Sequence, residues 1–176
     1  MKTFEELLEM QKQQDIEIYK PRKSGYIPRK RTLLDIKLAL DDEFQEWLRE
    51  LPDEYNFKTW KEKEYSREKE LIELVDVLFF LLQWINAIVE KYEYVFEAFS
   101  DEFEAFGDAK TNTDTSLNTL ILMFKNYVYI DAVLMVLNAW ISICIKRGFT
   151  KEDIVNQYCK KWKENISSRV DGDWSL

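Results

Sequence analysis

The chain has 176 residues, 46 % of them apolar, and a formal charge of −8 from 25 basic and 33 acidic side chains. That apolar content supports a real core, and the acidic balance disfavours a general nucleic-acid binder, whose phosphates it would repel. Histidine is absent altogether, which excludes Ser-His-Asp and Cys-His catalysis, histidine-ligated zinc and the Glu-x-x-His di-iron bundle.

Only four Gly and three Pro interrupt the chain, so long segments run unbroken and an all-α bundle of five to six helices in one domain, 1–176, is expected. The first helix is predicted over 4–19, opened by Thr3 and Glu6 as a capping box. Its apolar stripe includes Phe4, Leu7, Leu8 and Ile18, with Gln11 standing where an apolar residue is expected. The opening is acidic and amphipathic and does not read as a signal peptide. A basic loop, KPRKSGYIPRKR (20–31), follows; it is solvated or steers an anion. The second helix, 32–51, begins at Thr32 with Asp35 and stops at Pro52. A charged connector, 53–65, contains FKTWKEKEY, and a third helix, 66–94, starts from Ser66.

Residues 95–107 read as a short helix and 107–116 as a loop, so that about 95–125 forms an insertion in the domain. A long helix is predicted over 117–147, ended by Gly148, and a last one over 151–168 from Thr150 and Asp153. The apolar runs 71–89 and 117–145 approach membrane-span length. Each contains two charges, Glu73 and Asp76 or Lys125 and Asp131, costing about 2.5–3.5 kcal/mol apiece at mid-bilayer. Both are therefore read as core helices, with no membrane partner. Cys144 and Cys159 form no motif and fit thiols in a reducing cytoplasm.

The chemistry concentrates in two pairs of acids. Glu43 lies at the rim of the apolar arc of the second helix with Glu46, three residues on, further around, and Glu73 and Asp76 repeat that spacing inside the apolar run of the third. Residues three apart are helix-surface neighbours. If the helices pack antiparallel, four carboxylates converge, and only a counter-charge lets them stay ionised. Without histidine the donor set is oxygen, which selects Mg²⁺ or Mn²⁺. Glu-x-x-Glu alone is common on solvated faces; the acids within an apolar run are the informative pair. Glu70 shares their arc and stands as a supporting residue. In the last helix Asn165 projects into the apolar arc, with Lys161 at its edge; a buried amide requires partners.

Glu43-x-x-Glu46 followed by Glu73-x-x-Asp76, with FKTW (57–60) and ELVDVLFFLL (73–82), resembles the all-α nucleoside triphosphate pyrophosphohydrolases, which include MazG-like enzymes and the dimeric dUTPases, phage-encoded members among them. The resemblance implies Mg²⁺-dependent hydrolysis of dUTP to dUMP and pyrophosphate by a homodimer, with Glu43, Glu46, Glu73 and Asp76 as metal ligands. It further implies a uracil pocket made by Gln11, Asn165, Phe80 and Trp60, with Lys61, Lys161 and Arg169 toward the phosphates. Two departures stand out: Phe79 occupies a position where many members have histidine, and Arg169 is one residue off the family spacing. Glu43 is the expected general base, because desolvation at its rim position raises its pKa toward neutrality. A broader MazG-like pyrophosphohydrolase is the alternative within the class. A helical interaction protein that binds a repressor is the alternative outside it, and the two roles are compatible.

Overall fold

The computed structural model describes residues 1–106 and 114–171, the side chains of 169–171 excepted. Among these residues there are seven α-helices and no strand: α1 (Phe4–Ile18), α2 (Leu33–Glu50), α3 (Arg67–Lys91), α4 (Phe96–Glu104), α5 (Leu117–Tyr129), α6 (Val133–Lys146) and α7 (Lys151–Asp171). The helix starts follow local chemistry. Thr3 with Glu6 and Thr32 with Asp35 make complete capping boxes, and Ser66 caps α3 by accepting from the Lys69 amide. Thr150 and Asp153 exchange side chain-to-backbone hydrogen bonds of 2.9 and 3.1 Å at the start of α7, so two of the first orphan amides are satisfied locally.

Helix α3 is the axis of the bundle, packed by α1, α2, α6 and α7. It is long and apolar enough to cross a membrane, and most of its apolar stretch is buried by these neighbours. Helix α2 runs antiparallel to it: Trp47 meets Glu70, and Lys37 lies 5.6 Å from the Trp84 ring. The aromatic core is fully enclosed, with Trp47, Trp84, Trp140, Phe44, Phe103 and Phe124 among its members. Phe44 and Phe124 stack at 4.0 Å and 7°, joining α2 to α5. The segment expected as an insertion contributes to this core: Phe99, Phe103 and Phe106 are buried beside α1 and α6. Residues 107–113, most of the expected loop, lie outside the described residues.

The helix expected over 117–147 is two helices, and this corrects the sequence reading. Asp131 has φ 60°, and the amides of Asp131 and Ala132 bond back to the carbonyls of Val128 and Tyr127. This is a Schellman turn with an aspartate at C′. Asp tolerates the left-handed region better than most residues, so the apolar period continues across a break that neither Gly nor Pro announces. The turn folds α6 back on α5. Gly148, φ 74°, makes the same motif at the end of α6, through amide bonds from Gly148 and Phe149 to Ile145 and Cys144. Asp131→Gly is accordingly expected to stabilise the protein by about 0.5–1 kcal/mol, since glycine occupies this φ without strain. Its only recorded side-chain tie among the described residues, to Lys37 at 2.5 Å, is exposed and weak. A denaturant midpoint below wild type would refute this.

Candidate active site

On α2, the 3.6-residue period places Phe44, Trp47 and Leu48 inward and carries Glu43 to the rim of the buried arc. On α3, Leu74, Val75, Val77 and Leu78 are buried, and Glu73 and Asp76 face α2 from within that run. Antiparallel packing brings the pairs together: Glu43, Glu73 and Asp76 each offer a carboxylate oxygen, all within 4.8 Å of one another. Glu46 stands at the exposed mouth of the same cavity. One oxygen of Glu73, Oε2, is buried with no hydrogen-bond partner.

Crowded acids in a poorly solvated place hold protons. Burial first, then the charges of Asp76 and Glu46, push Glu43 from 4.5 up to about 7. Glu73 is raised to about 7 by the same causes in the same order. Burial also raises Asp76, opposed by the Lys161 ammonium of α7, which forms an ion pair with it. Such a set suits a hard divalent cation: every donor is oxygen, one buried oxygen is orphaned, and among the described residues Lys161 is the cation that pairs with the cluster.

Glu43, Glu46 and Asp76 form one wall of a cavity of about 310 Å³, at the lower end of the range for small-molecule sites. Gln11, Gln14 and Ile18 of α1, Phe79 and Phe80 of α3, and Lys161 and Asn165 of α7 make the other walls, with Arg31 at the loop end. The amides are held in place. Tyr158 donates to Gln11 Oε1 at 3.2 Å, Gln11 Nε2 donates to Asp15 at 2.8 Å, and Asn165 Nδ2 donates to Gln14 Oε1 at 3.3 Å. A larger hollow of about 900 Å³ lies between α1 and the start of α4, but Glu5, Glu9, Glu93 and Glu97 line it, and these carboxylates would repel a polyphosphate.

Gln11, Phe80, Lys161 and Asn165 are therefore brought to the same cavity as Glu43, Glu46 and Asp76, which Glu73 adjoins. Trp60 and Lys61 are not. Trp60 is 73 % exposed, and both residues line a separate hollow with Asp53 and Asn56. The connector folds on itself there, because Asn56 Nδ2 donates to the carbonyls of Arg49 and Leu51. The side chain of Arg169 lies outside the described residues. Glu70 does not reach the cavity; Arg147 pairs with it at 2.6 Å.

Two lining residues escaped the sequence reading as individuals. Gln14, 4 % exposed, shares the α1 stripe of Leu7, Gln11 and Ile18, and that spacing was a usable signal. Arg31 appeared only as part of a basic loop. Its guanidinium lies 5.1 Å from the Phe80 ring centre and donates to Gln83 at 3.3 Å, contacts that no local pattern announces.

A family model described as dUTPase matches residues 3–172. No curated protein gives a significant match to the chain. With the match spanning nearly all of the sequence, and an all-α fold that presents clustered carboxylates beside a small amide-lined cavity, the chain belongs to the dUTPase family and is a dUTP diphosphatase, hydrolysing dUTP to dUMP and pyrophosphate.

Proposed function

We propose that Glu43, Glu46, Glu73 and Asp76 hold Mg²⁺, with Mn²⁺ able to substitute, and that the amide-lined cavity beside them selects uracil. The observation that carries the metal assignment is the buried, unpartnered Glu73 oxygen within a cluster of acids less than 5 Å apart. When bound, the cation neutralises triphosphate charge and favours ionisation of the attacking water. Glu43 accepts the proton as general base: it lines the cavity and offers a carboxylate oxygen beside those of Glu73 and Asp76. Lys161, paired with Asp76 in this structure, lines the cavity and would offer its ammonium to the phosphates if a cation took its place beside Asp76. Arg31 also lines the cavity, as a second cation. Asn165, Gln14 and Gln11 present both donors and acceptors to a uracil edge, with Phe80 beside it in the cavity wall and Phe79, stacked on Tyr158 at 4.3 Å, behind.

The test measures pyrophosphate release from dUTP with Mg²⁺. Asp76→Ala is expected to be slower by on the order of 10³-fold, about 4 kcal/mol of transition-state stabilisation. Equal rates for the two proteins would remove the metal assignment. Turnover of dCTP or dTTP comparable to dUTP would favour the broader MazG-like specificity.

The same reading includes a homodimer. Leu34 and Leu38 on α2 are exposed at 63 and 61 %, and Leu122 and Tyr129 on α5 at 70 and 83 %. Helical spacing places them on the faces that the Lys125–Asp41 and Lys37–Asp131 pairs bring side by side. An uncovered apolar seam of this kind favours a second copy. Sedimentation at micromolar concentration is expected to give twice the mass of the chain, and Leu38→Glu to give the monomer. A monomeric wild type would sink this part.

A further inference from the structure

Glu70, one turn before Glu73, is the most enclosed acid among the described residues, at 0 % exposure. It takes no part in the cavity. Its oxygens accept from Arg147 Nε at 2.6 Å and Nη2 at 3.0 Å, from the Tyr65 hydroxyl at 2.8 Å and, more weakly, from Trp47 Nε1 at 3.4 Å. Each donor belongs to a different part of the site's scaffold. Trp47 follows Glu46 on α2, Tyr65 ends the connector, and Arg147 sits in the turn that launches α7, the helix of Lys161 and Asn165. Arg67 adds a second tie, donating to the Arg147 carbonyl at 3.3 Å and the Gly148 carbonyl at 2.6 Å.

An enclosed ion pair is seldom a better source of stability than apolar packing of the same volume. What a bidentate Arg–carboxylate contact adds is direction and register. Metal ligands need both, since small displacements of their oxygens weaken the coordination, and groups that orient ligands matter nearly as much as the ligands themselves. We infer that Glu70 is a positioning residue: through Arg147, Trp47 and Tyr65 it sets the register of α2, α3 and α7 in which the carboxylate cluster takes its cation, without itself touching cation or substrate. This rests on reading that cluster as the metal site.

The experiment measures Mn²⁺ affinity by titration calorimetry in the absence of substrate, together with kcat and KM for dUTP. Wild type is compared with Glu70→Gln well below the melting temperature of each. The substitution is expected to leave the far-ultraviolet circular dichroism unchanged, weaken Mn²⁺ binding about 10–100-fold and lower kcat. A residue of merely structural importance would lower the melting temperature and leave the Mn²⁺ affinity and kcat of the folded protein as they were; that result overturns the inference. Should Glu70→Gln fail to fold, Tyr65→Phe removes one donor at the partly exposed rim and is expected to weaken Mn²⁺ binding in the same direction. Unchanged affinity in Tyr65→Phe counts equally against the inference. A wild type that binds no Mn²⁺ removes the cluster reading itself before any variant is compared, so the two failures are distinguishable.

Discussion

Raising the pH of the metal-free protein from about 5 to about 8 is expected to lower its melting temperature, and adding a divalent cation at the upper end to restore it. The sign comes from proton counting. Glu43 and Glu73 have folded values of about 7 against an ordinary 4.5, so across this window the folded state binds more protons than the unfolded one. Stability then falls as pH rises, and the fall is complete once pH has passed the folded values. A fully shielded group with this difference would contribute roughly 3 kcal/mol. Both carboxylates are partly open to water, and screening brings the figure to about 1 kcal/mol each. Two such groups lower the melting temperature by about 4–8 °C in a domain of this size. Glu73→Gln removes one of them: the pH curve flattens, the metal-free protein gains about 1 kcal/mol at pH ~8, and dUTP hydrolysis falls by on the order of 10²–10³-fold. Scanning fluorimetry across a pH series, with and without Mg²⁺, reads the first two effects. A melting temperature that climbs over this window would show that the acids are not held as described.

Arg147→Met is expected to cost about 3–5 kcal/mol of stability, because it leaves the fully enclosed Glu70 without its counter-charge. Tyr65 and Trp47 still donate to Glu70, but neither supplies positive charge. The double variant Glu70→Gln/Arg147→Met removes the charge problem while keeping an acceptor for Trp47 and Tyr65. It is expected to recover most of the loss, so the cycle yields a strong coupling between the two sites. Urea midpoints of the four proteins provide the measurement. Additive losses would mean that Arg147 acts through its packing over the Tyr55 ring, 5.4 Å away, rather than through the ion pair.

Much of the candidate site's layout was legible beforehand because its elements obey short-range rules. Glu43 and Glu46, and Glu73 and Asp76, sit at helical spacing, and acids inside an apolar run demand a compensating partner whatever the fold. Lys161 and Asn165 came from the family resemblance, with partial support from their places on the α7 arc. Trp60 and Lys61 did not reach the cavity, because the connector's course is set by Asn56 bonding to the end of α2, a contact without periodic signature. The break at Asp131 was hidden for a related reason: the apolar period persists through it, and only the return of α6 against α5 shows where the chain must turn.

The starts of α1, α2, α3 and α7, the C′ glycine at 148 and the all-α class were set by the amino-acid order itself, because caps, turn residues and amphipathic period act within one or two turns of chain. The tertiary structure alone decided that α3 is sheathed by four helices, that Glu70 answers to an arginine 77 positions away, that Lys161 meets Asp76, and that Gln14 and Arg31 complete the cavity. Those pairings form when distant helices are packed together, and the energy that selects them, burial of aromatic and aliphatic faces around α3, is non-directional and leaves no local mark in the sequence.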